Sequence, residues 1–221
     1  MKNYIIFRLE WNYSKQESAE KVRIKLNHLN KYILPNLMNQ TNGDYRCFIE
    51  YPKPLSSEIQ QSKMIVQGHP IVFVPKLGTK DGINTWVKRY LLSRIEAYIK
   101  TLKLTANDRL IFISLPMESI YSFNTVDFFK SYNGKEKMIR FKKGYYVKGN
   151  KAYPLKSYDE FEGFAFVCTL KEYMNYFSVY NSIKGFNYSE FKDFPTIYTD
   201  KVEFLILPTS ENSIPVNNFI N

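Results

Sequence analysis

Charged and aromatic side chains stand near the ends of the first two apolar runs of the chain. The run "NYIIFRLE" carries Arg8 and Glu10, and the run "RCFIEY" ends with Glu50 and Tyr51. If both runs are strands of a parallel sheet, their carboxyl ends meet at one edge, where such sheets bind ligands. We therefore interpret these four residues as candidate ligand contacts. The alternative is that they pair with each other or with neighbours at the surface.

Two further groups of side chains are suited to chemistry. Glu160 and Glu162 in "YDEFEGF" are candidates for a base that accepts a proton from a hydroxyl group. The alternative is an ordinary acidic loop. Lys142 and Lys143 in "RFKK" could neutralise a bound anion. The alternative is an exposed hairpin, because lysine on an edge strand also discourages pairing with other chains.

The net charge limits the classes of partner. The chain of 221 residues has 31 basic and 21 acidic residues, which gives a net charge of +10. This charge indicates an anionic partner such as nucleic acid, anionic lipid or a diphosphate-sugar donor. A solvated surface rich in lysine explains the charge equally well, because the lysines are scattered. Nucleic acid ranks last, since no nucleic-acid-binding motif is present and a hairpin accounts for "RFKKGYYVKGNKAY".

The cysteines and the apolar runs indicate a soluble protein. Cys47 and Cys168 lie in strand-like runs and are predicted to be buried, reduced thiols, although a disulfide is the alternative. No stretch approaches the ~20 apolar residues of a membrane span. The first apolar run is too short for a signal peptide, and no small-residue cleavage site follows it. We therefore expect a cytoplasmic protein.

The first part of the chain alternates predicted strands with predicted helices. Ser14 and Glu17 have the spacing of a capping box that begins a helix. Residues 84–102 repeat apolar side chains at helical spacing, and Asn124 or Thr125 caps a short helix. Apolar runs predict strands at 3–9, 46–51, 69–75 and 109–114. This alternation predicts an α/β fold with a mostly parallel central sheet flanked by helices.

After residue 132 the pattern changes to glycine turns and period-two runs, which predict antiparallel strands. Further apolar runs predict strands at 163–168 and 202–208. Thr169 and Glu172 form a second capping box, which begins a helix. Because no repeat or low-complexity linker interrupts the chain, we predict one domain over 1–221 with two halves, 1–131 and 132–221.

Several stretches resemble GT-A glycosyltransferases. The stretch "ILPNLMNQTNGDYRCFIEYP" is similar to the passage in which a helix of these enzymes ends and leads into the second strand. More closely, "IIFRLEW", "LPNLMNQTN", "FKKGYYV" and "PTSENSI" resemble a bacterial rhamnosyltransferase-like family. The resemblance covers most of the chain. It implies a GT-A-like, Rossmann-like fold in which 1–131 binds a nucleotide sugar and 132–221 faces a glycan or protein acceptor.

The resemblance also implies a role for each candidate. Glu160 or Glu162 would be the base for the acceptor hydroxyl. Lys142 and Lys143 would neutralise the diphosphate of the donor. The nucleotide would contact the residues that end the first two strands, namely Arg8, Glu10, Glu50 and Tyr51.

The sequence departs from the family at its metal-binding motif. GT-A enzymes usually hold a divalent cation with Asp-x-Asp after the fourth strand. Here Pro116, Met117 and Glu118 of "SLPMES" occupy that place. Glu118 alone could ligate Mg²⁺ or Mn²⁺, and one carboxylate is a poor Mg²⁺ site. We therefore expect that no cofactor is used and that Glu118 is a solvated loop residue.

Two hypotheses of function follow. The first is a glycosyltransferase-like protein that moves a sugar from a nucleotide-sugar donor to a glycan or protein acceptor, either without a metal or with its activity lost. The second is a non-catalytic component of a larger assembly, such as a phage or tail-like particle, that retains the fold. The missing Asp-x-Asp favours the second hypothesis. The stretch "LPNLMNQTN" does not discriminate, because it is interpreted as packing and turn chemistry.

Overall fold

The computed structural model describes residues 1–11, 18–76, 84–116, 119–148, 151–154, 164–173 and 195–207. Its helices are α1 (Ala19–His28), α2 (Leu34–Met38), α3 (Ile59–Ile65), α4 (Asn84–Thr101), α5 (Thr125–Ser131) and α6 (Leu170–Tyr173). Its strands are β1 (Asn3–Glu10), β2 (Tyr45–Pro52), β3 (Ile71–Lys76), β4 (Arg109–Pro116), β5 (Ser119–Tyr121), β6 (Met138–Lys148), β7 (Lys151–Pro154), β8 (Phe164–Thr169) and β9 (Thr196–Ile206).

These strands form one mixed sheet in the order β3-β2-β1-β4-β8-β6-β9-β5, with β7 paired to β6. The group β3-β2-β1-β4 is parallel throughout. Strand β8 is antiparallel to both β4 and β6, whereas β9 is parallel to β6. The predicted α/β class, with a parallel group flanked by helices and antiparallel strands in the C-terminal half, is confirmed.

The second half of the sheet is strongly curled. Strand β5 follows β4 after two residues, yet it lies four strand positions away in the sheet, beyond β9. Four inter-strand steps would span ~19 Å in a flat sheet. Three peptide units between Pro116 and Ser119 span at most ~11 Å. The sheet therefore bends back on itself, and the hydroxyl of Tyr121 on β5 donates a hydrogen bond of 2.6 Å to the carbonyl of Ser114 on β4.

Each face of the sheet has its own apolar core. On what we call the α1 face, Ile5, Phe7 and Leu9 of β1 pack with buried side chains of α1, α2 and α5. On the opposite face, which we call the α4 face, Ile6 of β1 packs with Phe48 and with the apolar side of α4. Helix α6 also lies on the α4 face, because Tyr173 stacks on Phe112 with ring centroids 5.5 Å apart.

Helices α1 and α2 are joined by a π-helical turn, Leu29–Ile33. Pro35 is the second residue of α2. In a regular α-helix the ring of Pro35 would clash with the carbonyl four residues earlier, and a wider turn relieves that crowding. The helical path therefore continues beyond Pro35 as α2. The predicted cap at Ser14 and Glu17 lies outside the described residues, and the side chain of Ser18 caps α1 by accepting from the backbone N–H of Lys21.

The predicted capping box of α6 is confirmed. The backbone N–H of Glu172 donates to Thr169 Oγ1 at 3.2 Å, and the backbone N–H of Thr169 donates to Glu172 Oε2 at 2.8 Å. Cys47 and Cys168 are free thiols, as predicted. They lie on opposite faces of the sheet, and burial raises the pKa of each thiol well above its usual range. In the described part of the chain, no helix is long and apolar enough to cross a bilayer.

A buried polar cluster fixes the amino ends of β1 and β4 to the segment after α5. We call Asn3 and Arg109 the Asn3–Arg109 clamp. Arg109 Nε donates to Asn3 Oδ1 at 3.0 Å, and Arg109 Nη1 donates to the carbonyl of Gly134 at 2.7 Å. Asn3 Nδ2 donates to the carbonyls of Phe129 and Tyr132, each at 2.7 Å, and Arg109 Nη2 also donates to Tyr132. The clamp supplies side-chain donors to carbonyls at the end of α5 and just after it.

Candidate functional site

The connections between the parallel strands create a crevice at β1 and β4. The chain passes from β1 to β2 through α1 and α2 on the α1 face, and from β3 to β4 through α4 on the opposite face. Strands β2 and β4 therefore flank β1 with their crossovers on different sides of the sheet. In open α/β sheets, ligands bind outside the carboxyl ends of the strands at such a switch point. The carboxyl ends of β1 and β4 are thus the candidate site.

Arg8 and Glu10 lie on β1 at this crevice. The strand register pairs Arg8 with Phe48 on β2 and with Ser114 on β4. Glu10 pairs with Glu50 and with Pro116. Arg8 is half-buried and lies on the α4 face, since it follows Ile6 by two residues along the strand. The structure therefore brings three of the predicted residues to adjacent strand ends.

Glu50 is a buried carboxylate, with 3% of its surface exposed. It follows Phe48 by two residues and lies on the α4 face, diagonally beside Arg8 at a Cα separation of ~8 Å. A buried carboxylate is costly unless a cation or hydrogen-bond donors accompany it. Arg8 is a cation on the same face within reach of a long side chain. The two residues place opposite charges, partly shielded from water, at the switch point.

Tyr51 lies on the other side of the sheet. It is 3% exposed and belongs to the core of the α1 face, where its ring meets the edge of Phe73 at 6.2 Å. Lys63 Nζ donates to its hydroxyl at 3.3 Å. Because neighbouring residues on a strand face opposite ways, Tyr51 and Glu50 do not share a site. A nucleotide contact by Tyr51 stays a prediction, and the structure does not bring it together with Arg8.

Lys142 and Lys143 lie on β6, beside an irregularity in the pairing of β6 with β9. Lys143 Nζ forms an ion pair of 3.2 Å with Glu203 on β9, and this hydrogen bond raises the pKa of Lys143. The pair is exposed and is worth little to stability. Lys142 is exposed and faces away from Lys143, because the two are neighbours on one strand. The structure therefore does not bring the two lysines together around one ligand.

The remaining predicted residues, Glu118, Glu160 and Glu162, lie outside the described residues. Within the ranges the structure does describe, no three His, Cys, Asp or Glu side chains come together as a metal site. These residues do not supply the ligand set that the family resemblance implies. The contribution of Glu118 to a metal site stays a prediction.

Arg140 was missed by the sequence reasoning. It is 6% exposed and lies on the α4 face of β6, two residues after the buried Met138. The register pairs it with Tyr198 on β9, whose ring centroid is 5.8 Å from the guanidinium carbon. In "MIRFKK", Arg140 stands two residues after Met138, so the two side chains lie on the same face of a strand, and that face is buried at Met138. The sequence does not show which strands lie beside β6, and the surroundings of Arg140 depend on those strands.

The stretch "LPNLMNQTN" holds the segment that follows the turn between β4 and β5. Asn36 Nδ2 donates to the carbonyl of Tyr121 at 2.8 Å, and the N–H of Tyr121 donates to Asn36 Oδ1 at 3.3 Å. Gln40 Nε2 donates to the carbonyl of Ser122 at 3.3 Å. Asn36 and Gln40 are both buried. The interpretation of this stretch as packing and turn chemistry is confirmed.

Comparison with known proteins identifies no family. No family model matches the sequence, and no curated protein matches it. The glycosyltransferase GlyE of Streptococcus pneumoniae TIGR4 aligns at 10% identity and a TM-score of 0.37, over 89% of this chain and 45% of GlyE. The chain therefore spans less than half the length of that enzyme.

A second solved structure aligns over most of both chains. The inositol-1-phosphate CTP transferase of T. maritima aligns at 13% identity and a TM-score of 0.41, over 93% of this chain and 89% of that one. Likenesses of this size carry no argument about function. Neither structure is described as a rhamnosyltransferase, so that finer resemblance stays a prediction from the sequence.

Proposed function

We propose that this protein binds a nucleotide sugar at the β1–β4 crevice and acts as a glycosyltransferase on a glycan or protein acceptor. The observation that carries the proposal is the placement of Arg8 and buried Glu50 side by side at the topological switch point. A carboxylate can accept hydrogen bonds from a ribose or a base, and a guanidinium can donate to a phosphate. Both types of contact are needed to hold a nucleotide.

The other roles belong to the same proposal. Glu10 would add a second acceptor for the nucleoside, and Glu160 or Glu162 would accept the proton of the acceptor hydroxyl. We propose that no metal takes part, because Pro116, Met117 and Glu118 stand where Asp-x-Asp would be and leave a single carboxylate there. Basic side chains would then stabilise the diphosphate that leaves.

Thermal unfolding with nucleoside diphosphates and nucleotide sugars, each with and without Mn²⁺, tests this proposal. A ligand at 100 times its Kd stabilises the folded state by ~2.7 kcal/mol, which raises the Tm by several degrees. We expect one nucleotide to give this rise, and R8Q to abolish it. R23Q, on the exposed surface of α1, makes the same charge change and should leave the rise intact. If none of the nucleotides raises the Tm, the proposal is contradicted.

A second candidate is a non-catalytic component of a larger assembly, favoured by the absence of Asp-x-Asp after β4. It predicts no ligand-dependent rise in Tm. It also predicts that R8Q and R23Q behave alike in every binding measurement. The panel of nucleotides therefore separates the two candidates.

A further inference from the structure

The β6–β7 hairpin carries much of the positive charge of the chain. Residues 135–154, which we call the basic hairpin, contain seven Lys or Arg residues and one acidic residue, Glu136. Their net charge is therefore +6, compared with +10 for all 221 residues. A concentration of one sign of charge on a single element raises the local concentration of oppositely charged ligands.

The hairpin runs toward the same edge of the sheet as the crevice. Strand β6 runs parallel to β4, because β8 lies between them and is antiparallel to both. Met138 on β6 and Phe112 on β4 both pair with Phe166 on β8. From that row, β4 continues for four residues and β6 for ten. Because the sheet is curled, β9 also places Tyr146 of β6 and Ser119 of β5 in one row, opposite Ile206. Tyr146 therefore lies two inter-strand steps, ~10 Å, from a residue that is three positions after the end of β4.

One face of the basic hairpin carries both cationic and aromatic side chains. Arg140, Lys142 and Tyr146 are separated by even numbers of residues and lie on the α4 face of β6. Tyr146 stacks on its cross-strand partner Tyr153 with centroids 5.3 Å apart and an interplanar angle of 23°. These rings are 40% and 38% exposed, and Tyr198 at the root of the hairpin is 53% exposed.

Exposed aromatic rings and cations suit a ligand with apolar ring faces and negative charges. Tyrosine offers an apolar surface together with a hydroxyl that can bind other hydroxyl groups. An acidic saccharide presents sugar rings, hydroxyls and carboxylates or phosphates at regular spacing. Such a chain, entering the crevice with its acceptor end, would run along the basic hairpin.

We propose that the basic hairpin binds an anionic glycan through Lys142, Tyr146 and Tyr153, and that this glycan is the acceptor. The assignment as acceptor rests on the proposed function, whereas the binding itself does not. The anionic groups contact Lys142 and Lys151, which is exposed and precedes Tyr153 by two residues on the same face of β7. The sugar rings contact the exposed tyrosine pair.

The test compares two probes with the same sugar backbone, one with charged carboxylates and one with neutral esters. Binding of oligogalacturonate and of its methyl ester is measured by calorimetry at low salt with the full chain. We expect the acid to bind and the ester to bind at least ~10-fold more weakly, with the difference shrinking as salt screens the charges. Y146A/Y153A and K142Q/K151Q should each weaken binding of the acid by a similar factor. K21Q/K100Q removes two exposed charges on α1 and α4 and should change the affinity less than twofold.

Several outcomes would overturn the proposal. Equal binding of acid and ester, or equal loss in K142Q/K151Q and K21Q/K100Q, would show that the hairpin makes no specific contact. Tighter binding of single-stranded oligo(dT) or of phosphatidylglycerol vesicles than of the acid would assign the surface to nucleic acid or to a membrane. If Y146A/Y153A does not fold, binding of the acid is measured with Y153S, which changes only the shorter strand β7. Unchanged affinity in Y153S would contradict the contact with the tyrosine rings.

The two proposals fail in different ways. Glycan binding without any nucleotide-dependent rise in Tm would contradict the proposed transferase function and keep the binding surface. A nucleotide-dependent rise without glycan binding would contradict the surface and keep the nucleotide site.

Discussion

At the scale of single residues, Arg109 shows how one side chain can organise several backbone groups. It is 9% exposed, and its fork of donors reaches Asn3 and the carbonyls of Tyr132 and Gly134. The planar guanidinium suits this task because it donates in several fixed directions at once. The clamp thereby joins β1, β4 and the segment that leads into β6.

We predict that R109A lowers the free energy of unfolding by about 2–4 kcal/mol. The reason is that buried carbonyls lose their donors, and each unsatisfied group costs about 1–3 kcal/mol. Urea unfolding followed by circular dichroism measures the loss. R109K keeps the charge without the fork and should retain part of the stability. Substitutions at the surface usually change stability by about 0.5 kcal/mol or less. A loss in R109A no larger than this would show that the clamp contributes little to stability.

Residue roles near the crevice were predictable only in part. Arg8, Glu10 and Glu50 could be placed because a strand end follows from an apolar run. The alternation of side chains along β2 separates Tyr51 from Glu50. Which of the two faces the candidate site depends on which helices cover each face of the sheet. Arg140 depends on the partners of β6, which lie far along the chain at 164–169 and 196–206. A single sequence does not specify such non-local pairing.

At the scale of elements, the segment from Asn36 to Gln40 acts as an extra edge for β5. The side-chain amide of Asn36 makes the two hydrogen bonds with Tyr121 that a neighbouring strand would make. Gln40 continues the contact at Ser122, and its Oε1 accepts from the N–H of Val126 at 3.4 Å. Strand β5 has only three residues, so these side chains supply much of its support.

We predict that N36A destabilises the protein by about 2–3 kcal/mol, because it leaves a buried donor and a buried acceptor of Tyr121 unpaired. Thermal and urea unfolding both measure this change. The matched control is Q60A, which removes an amide from an exposed position of α3 and should cost about 0.5 kcal/mol or less. Equal effects of the two substitutions would contradict the role of Asn36.

The long elements and the short helices with a capping signal, α5 and α6, were predicted from the sequence, whereas β5 and α3 were not. Strands β1 to β4 and helix α4 have long apolar patterns with one dominant period. Strand β5 and helix α3 are three and seven residues long, too short for a period to be recognised. Strand β9 begins at Thr196, whereas the sequence predicted a start at 202. The prediction began too late because the first residues of the strand are largely exposed and polar.

At the scale of the whole molecule, the sheet continues across the boundary predicted near residue 132. Strand β4 of the first half pairs with β8 of the second half, and β5 pairs with β9. Both apolar cores contain residues from the two halves. Neither half has a separate sheet in the described part of the chain.

We predict that the protein unfolds in one cooperative transition, as a single domain does. Far-UV circular dichroism and tyrosine fluorescence should give the same urea midpoint, since tyrosines report from both halves. The calorimetric and van't Hoff enthalpies of unfolding should also agree. Two separate transitions, with 1–131 melting apart from 132–221, would contradict the single-domain prediction.

The position of β5 has a consequence for synthesis on the ribosome. The partner of Ser119–Tyr121 is the stretch from Phe204 to Ile206, so about eighty further residues must be translated before this pairing can form. Until then the nascent chain can assemble its parallel strands, while β5 and the adjoining Ser122 are held by the amides of Asn36 and Gln40 and by the hydrogen bond from Tyr121 to Ser114. The amides of Asn36 and Gln40 thus help to position β5 before its partner strand β9 has been synthesised.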